Sequence, residues 1–394
     1  MNASTTMILG GGFGGISTAN TLRHLLPGEH QIILIDKSPT FLVGATKTWV
    51  MLGQRSPEEF ARDRSGLSQR GVQVLQDEVV RIEPASGLVE ASQGSFRPDF
   101  IVIALGANLN MAAIPGLDRA AHTFYTLEGA ARLRQVLEDF DGGEVVLLIP
   151  RAPFKCPPAP YEAAMLLRDA FAARGLGEKT RLSIYTIEGT PMATAGPEMG
   201  QLIVNELDRR GIGFHPKMKT LGVDPASQTV SFEDGSQAEF DLLIAIPPHE
   251  APQVVRQAGL VNQSGWIPVD ANTFQIVGIS GRVPLYAIGD IASVPLPGRY
   301  VPDAPLVLPK AGVFAEAQGR VVAHHISSQV LVEAKVEQFE GTGVCYIETG
   351  NQQAIKAEGH FFAMPHPVMQ GDSEKEEYYR EKLHWVEDWL TTNL

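Results

Sequence analysis

A chain of 394 residues has room for two or three domains of roughly 150 residues each, and so for a sizeable buried core. Its 44% hydrophobic and 20% charged residues are ordinary globular usage, which excludes disorder as the native state. The 45 acidic and 32 basic side chains leave a net charge of −13, a field that repels phosphate backbones and anionic surfaces; no nucleic acid partner is expected, and membrane contact is expected to be peripheral at most.

The first segment reads as strand, glycine turn, helix, strand: residues 6–9, then Gly10-Gly11-Gly12-Phe13-Gly14-Gly15, an apolar helix toward Leu26, and a second strand over 31–35 closed by Asp36. Gly10, Gly12 and Gly15 fit the dinucleotide fingerprint, in which they permit a tight turn, close approach of a pyrophosphate, and close packing of helix on strand. The helix N-terminus then points free N–H groups and the positive end of its dipole at the phosphates. Asp36 lies where an acidic side chain accepts bonds from an adenosine ribose. A continuous apolar run over 99–107 predicts a buried parallel strand ended by a glycine turn.

A second βα unit follows, with its strand over 144–149 and its helix over 160–173. Its turn reads Pro150-Arg151-Ala152-Pro153-Phe154-Lys155, whose side chains and missing N–H groups disfavour a second closely held pyrophosphate. Cys156, just ahead of this helix and close to Lys155 and Arg151, has positive surroundings that favour thiolate over thiol. Glu162, in the first turn, is a candidate proton acceptor or a simple complement to the helix dipole. Only Cys156 and Cys345 occur, so a four-thiolate metal site is excluded; two thiols can form one redox pair or sit apart as small buried hydrophobes.

Residues 241–247 nearly copy the 99–107 run, and a strand over 285–288 leads into Gly289-Asp290. Pro309-Lys310 predicts the opening of a helix through about His325, with proline in its first turn. His324 and His325 point about 100° apart on that helix and would not chelate one ion, so no metal is expected; most of the other histidines read as surface or satisfied core residues. The last segment, from about Val332, carries Cys345-Tyr346 and His360-Phe361-Phe362, an aromatic pair that lines a quinone pocket or is plain core. Residues 373–390 predict a charged helix whose apolar members, Tyr378, Tyr379, Leu383, Val386, Trp389 and Leu390, pack on the protein itself rather than on a membrane. The apolar runs fall far short of the roughly 18 residues a membrane helix needs, and the start is short and polar, without a leader. The expected location is cytoplasmic, with at most peripheral contact at the cytoplasmic membrane face.

Taken together, the glycine fingerprint with Asp36, the 99–107 strand, Tyr286-Ala287-Ile288-Gly289-Asp290 and Leu308-Pro309-Lys310-Ala311-Gly312 resemble the two-dinucleotide-domain flavoproteins. More specifically, Lys155-Cys156-Pro157-Pro158-Ala159-Pro160-Tyr161-Glu162 and Cys345-Tyr346 resemble the cysteine motifs of the sulfide:quinone oxidoreductase and flavocytochrome c sulfide dehydrogenase family, over essentially the whole chain. The fold class this resemblance implies is α/β: two Rossmann-like dinucleotide-binding domains, glutathione-reductase-like, with a small C-terminal α+β region. The implied division is 1–110 with 265–330 for a discontinuous FAD-binding domain, 111–264 for a second Rossmann-like domain lacking the NAD glycine motif, and 331–394 for a C-terminal region contributing the second cysteine and the acceptor side.

The implied cofactor is non-covalent FAD, because the cysteine that carries a thioether link in some members is absent. By resemblance, Gly10, Gly12, Gly15 and Asp36 hold its ADP half, with Ala104 and Gly106 as further contacts. Gly289 and Asp290 meet the ribityl or pyrophosphate region, and the helix at Lys310 aims its N-terminus at the flavin pyrimidine. The implied catalytic residues are Cys156, Cys345 and Glu162. Sulfide or a persulfide is oxidised through a Cys156/Cys345 bridge, with Cys345 nearer the flavin and Cys156 carrying the sulfur chain, and electrons leave to a quinone. Three alternatives stand beside this: a soluble cytochrome-linked sulfide dehydrogenase, an NADH:quinone oxidoreductase-like flavoprotein, and a flavin redox sensor without turnover. A homo-oligomer stays open.

Overall fold

The computed structural model describes residues 3–331 and 337–394. The expectations placed on Met1 and Asn2 and on a boundary near Val332 therefore lie outside the described residues. Strands β1 (Thr5–Leu9), β2 (Gln31–Asp36), β3 (Gln73–Gln76) and β4 (Phe100–Ile103) are followed by β5 (Gly143–Ile149), β6 (Thr180–Thr186), β7 (Gly213–His215), β8 (Leu242–Ala245) and β9 (Leu285–Ala287). They form two parallel sheets, ordered β9-β4-β1-β2-β3 and β7-β6-β5-β8. Both are covered on two faces, so β1, β4, β5 and β8 read as almost unbroken apolar runs with few exposed side chains. In each order the direction of winding reverses once, between β1 and β4 in the first sheet and between β5 and β8 in the second. Such reversals open a crevice at the carboxyl ends of the strands, where α/β proteins bind ligands.

The helices that matter to those crevices are α1 (Phe13–Leu25), α2 (Lys47–Met51), α3 (Ala159–Ala173), α4 (Gly312–Val330) and α5 (Glu376–Asn393). Helices α1 and α4 cross so closely that a Cβ at Gly319 would lie 2.5 Å from the Gly14 carbonyl oxygen. A meander of β10 (Thr342–Gly350), β11 (Gln353–His360) and β12 (Val368–Gly371) follows, each strand antiparallel to the next. Ile347 and Ile355 of this meander join the core of the second sheet, while Val386, Trp389 and Leu390 of α5 join that of the first. The C-terminal helix thus packs on its own protein, as its acidic composition predicts, and Trp389 Nε1 donates to Glu316 at 2.8 Å.

Three expectations need correction. The strand over 99–107 is shorter, because β1 ends at Leu9; the Ala104 N–H to Leu9 carbonyl bond (2.7 Å) is the last link, and the chain leaves without a ladder partner. The 241–247 run shortens to Leu242–Ala245 in the same way. Pro309-Lys310 does not open the helix: α4 starts at Gly312, and Lys310 is extended, its carbonyl accepting the Cys156 N–H at 2.7 Å. The fixed φ of Pro309 serves that extended segment. The aromatic pair is core, with Phe361 edge-on to Phe314 (5.2 Å) and Phe362 edge-on to Phe339 (5.3 Å). His324 pairs with Glu337 at 3.2 Å and His325 with Tyr286 at 3.1 Å, so the two rings face different partners. No helix among the described residues is long and apolar enough to cross a membrane.

Gly10 has φ +106°, and a Cβ there would lie 2.3 Å from the Ala104 carbonyl oxygen. Strain and clash act together, so Gly10→Ala is expected to lower stability in urea by about 2 kcal/mol or more. An unchanged unfolding midpoint would contradict the close approach of β1 and β4.

Candidate active site

At the first crevice the glycine loop has two kinds of glycine. Gly10 and Gly15 are required by the fold itself, since a Cβ at Gly15 would lie 1.9 Å from the Gly10 carbonyl oxygen. Gly12 is different: among the described residues nothing lies within 4 Å of its Cβ position. It caps α1, whose first turn has no acidic residue, so free N–H groups face open space of the kind a pyrophosphate fills. Asp36, the expected ribose acceptor, also braces the loop: its carboxylate accepts from the Gly11 N–H (2.6 Å) and the Ser38 N–H (2.8 Å) and retains lone pairs for a hydroxyl. Arg64, not anticipated from sequence, donates to the Gly11 carbonyl (2.8 Å) and the Ser38 carbonyl (2.6 Å) and lies 3.5 Å from Asp36. Burial lowers its pKa and Asp36 opposes the shift.

Gly106 leaves β4 at φ +66° beside open space. Across the crevice, the Gly289 N–H donates to Gln318 Oε1 (2.7 Å), and the Asp290 carbonyl accepts from Lys310 Nζ (2.5 Å). The Lys310 ammonium also sits 3.6 Å from the centroid of Trp266. Burial pushes it down to about 8, against the pull of Asp290.

Cys156 lies on the loop leaving β5, at φ 54°. Its N–H is held by the Lys310 carbonyl (2.7 Å) and its carbonyl accepts the Ala159 N–H (2.9 Å), so this loop is stitched to the segment that braces Asp290. Cys345 is on β10, at the edge of the second core. Both are free thiols, and the strand that carries Cys345 packs on α3, the helix that follows Cys156. Burial pushes the Cys156 thiol up to about 11, Glu162 adds to the shift, and Lys382 and Lys47 oppose it without prevailing. Burial, then Cys156 and Glu162, raise Cys345 further. The thiolate expected at Cys156 is thus corrected to a thiol. Arg151, counted on for positive potential, is exposed and donates to the Ala113 carbonyl at 3.1 Å. Two cations that act on the sulfur are not anticipated from sequence, Lys382 and Lys47, the latter pushed down to about 7 by burial and Lys155 and drawn up by Cys156 and Asp290.

Glu162 is buried rather than set at the solvent edge of α3. Lys382 Nζ of α5 lies 3.0 Å from Glu162 Oε2 and 2.5 Å from Glu348 Oε1 of β10. The Glu348 N–H donates to Glu162 (2.9 Å), and Trp49 Nε1 of α2 donates to Glu348 (2.7 Å). Two buried carboxylates therefore share one buried ammonium. Burial raises Glu162, with Lys382 opposing and Glu348 adding; burial lowers Lys382, but the two carboxylates outweigh it and hold it above its ordinary value. Lys382 has a sequence signal, since it falls on the apolar stripe Tyr379, Val386, Trp389 at helical spacing. Glu348, on a strand that pairs 186 positions away from its partner Glu162, has none.

Two outcomes follow from these charges. In the reduced protein, alkylation of Cys156 by iodoacetamide should climb about tenfold per pH unit from 7 to 10, as the thiolate fraction of a group at about 11 does; a plateau near pH 8 would contradict the burial argument. Lys382→Met leaves two buried carboxylates without a counter-charge and should cost about 3 kcal/mol or more. A raised carboxyl pKa means the folded state binds the extra proton, so the variant's stability should fall as pH rises above the ordinary 4.5, more steeply than wild type. Parallel urea curves at all pH values would contradict the shared ammonium.

Comparison with known proteins places this geometry. Residues 4–151 match the pyridine nucleotide-disulphide oxidoreductase family, and residues 130–247 match the central part of the sulfide dehydrogenase (flavocytochrome c) flavoprotein chain. The mitochondrial sulfide:quinone oxidoreductase of Mus musculus is 24% identical over 392 residues, covering 95% of this chain and 82% of that protein. The sulfide-quinone reductase of Aquifex aeolicus is 25% identical over 377 residues, covering 92% and 84%. The X-ray structure of the sulfide:quinone oxidoreductase from Aquifex aeolicus shares the fold with a TM-score of 0.87 at 22% identity, over 99% of this chain and 91% of that one. Over nearly its whole length the chain is thus a homologue of sulfide:quinone oxidoreductases, an FAD-dependent oxidoreductase built on Rossmann-like cores.

Proposed function

We propose that this enzyme oxidises sulfide, or a persulfide, through Cys156 and Cys345 and passes the electrons through FAD to a quinone. The observation that carries the reading is convergence: the Glu348 N–H to Glu162 bond joins the strand of Cys345 to the helix that follows Cys156, and the backbone of Cys156 is bonded to Lys310, which in turn holds Asp290. Gly10, Gly12, Gly15, Asp36, Ala104, Gly106, Gly289, Asp290 and Lys310 would hold the cofactor, and the open space at Gly12 suits its pyrophosphate. FAD, when bound, supplies a two-electron acceptor. The division of the chain we propose is 1–110 with 265–330, 111–264, and 331–394.

In the oxidised enzyme the two cysteines form a bridge. Hydrosulfide attacks it, forming a persulfide on one cysteine and releasing the other as a thiolate. The thiolate and the persulfide then join through the added sulfur, giving up one proton and two electrons. Glu162, whose carboxyl burial raises, takes the proton, and Lys382 at 3.0 Å steadies its ionised form. Exposed Val344, Met364 and Val368 on and beside the C-terminal meander support peripheral contact with the cytoplasmic membrane face, where a quinone resides. The match of residues 130–247 to a flavocytochrome chain, with the acidic net charge of −13, favours a basic cytochrome as the second reading of the acceptor.

Sulfide added without oxygen should bleach the flavin and a quinone analogue should restore it, whereas NADH should do nothing. Cys156→Ser and Cys345→Ser should each slow bleaching by about 100-fold or more, the scale of losing a reacting group. Undiminished bleaching in both variants removes the thiols from the reaction, and restoration by cytochrome c alone replaces the quinone.

A further inference from the structure

The second crevice, between β5 and β8, receives two segments: residues 150–158 with Cys156, and the stretch after Ala245 that reaches His249. His249 Nδ1 lies 2.7 Å from the Pro247 carbonyl oxygen. A carbonyl can only accept, so Nδ1 carries the proton and Nε2 presents a bare lone pair. That Nε2 is buried and has no hydrogen-bond partner among the described residues, an exception to the expectation that most histidines are surface or satisfied core residues. An unpaired buried acceptor costs about 1–3 kcal/mol, and native interiors rarely leave one without reason.

The surroundings define what the lone pair is for. The Tyr125 ring stands edge-on to the imidazole at 5.5 Å, and its hydroxyl donates to the Lys155 carbonyl (3.0 Å), the residue before Cys156. His249 is therefore one aromatic ring away from the cysteine loop. Burial, together with Lys155, Lys310 and Lys47, pushes the imidazole down to about 3, so it stays neutral, and an acceptor, at any working pH. Positive potential from three lysines around one obligate acceptor suits a small ligand with a negative charge and a hydrogen to donate. Hydrosulfide has both; a quinone has only acceptors. The proline-bounded turn at 150–155 leaves no glycine cradle for a nucleotide in this crevice.

We infer that His249 Nε2 accepts the S–H of hydrosulfide entering beside Cys156, a positioning residue that binds the protonated monoanion and turns its free lone pairs toward the sulfur bridge. This rests on the sulfide-oxidising reading above. The test uses holoenzyme, His249→Phe to remove the acceptor at similar volume, and His249→Gln to return one. Flavin content and bleaching by dithionite, which bypasses the crevice, should be unchanged in both. The half-saturating sulfide concentration for bleaching should rise about tenfold in His249→Phe, the scale of one neutral hydrogen bond, with a smaller change in the limiting rate, and His249→Gln should recover most of it. In wild-type protein labelled with 15N-histidine, the unprotonated Nε2 resonance should move when sulfide is added. Unchanged half-saturation in His249→Phe, or a static Nε2 resonance, overturns the inference while leaving the sulfide reading intact. Loss of flavin from both variants also overturns it, by assigning the lone pair to the cofactor. If wild-type flavin does not bleach with sulfide, the functional reading itself fails.

Discussion

One ammonium between two buried carboxylates holds the site together. Lys382 reaches from the last helix to Glu162, one turn into the helix that follows Cys156, and to Glu348, three positions beyond Cys345 on its strand. Burying three ionised groups is expensive unless the geometry is tight and the remaining lone pairs are used, and here the Glu348 N–H and the Trp49 indole complete the set. A network satisfied in this way favours one arrangement of helix, strand and tail over its alternatives. The helix after Cys156 and the strand of Cys345 are tied together by groups that do not themselves carry sulfur. Burial drives both thiols up, and Glu162 of the cluster adds to the shift while Lys382 opposes it. A dithiol that keeps its protons when reduced carries electrons and protons together, which suits coupling to an acceptor that takes up both.

The two Rossmann-like sheets meet through backbone rather than side chains at the decisive point. The Cys156 N–H to Lys310 carbonyl bond joins the loop leaving the second sheet to the segment entering α4. Each sheet contributes its own crevice at the place where its strand order reverses, and this bond lies between them. The glycine loop serves one crevice and the proline-bounded cysteine loop serves the other. A fold with two nucleotide-type crevices thus carries a glycine loop at one and a cysteine at the other.

Much of this was legible in sequence because local patterns encode it. Glycine spacing, buried parallel strands and the position of Cys156 ahead of a helix each depend on neighbours within about 30 residues. What stayed hidden depends on distant segments. Asp36 was read as a ligand acceptor, yet it also braces Gly11 with the help of Arg64, which has no motif of its own. Cys156 was read as a thiolate from adjacent basic residues, but adjacency in sequence did not place Arg151 at the sulfur, and burial decided the outcome. The helix at Pro309 was placed early because proline suits both a first helical turn and an extended bridge, and only the pairing partner distinguishes them. Lys382 belongs to a charged helix by composition, and its place on the apolar stripe of Tyr379, Val386 and Trp389 is what marks it for burial.

The backbone at Cys156 is in the left-handed region, φ 54°, where a residue with a Cβ is disfavoured by about 1 kcal/mol relative to glycine. A chain shaped only by robustness would put glycine there and gain resistance to heat. Keeping cysteine in that conformation exchanges some resistance to heat for a thiol on the loop that leaves β5.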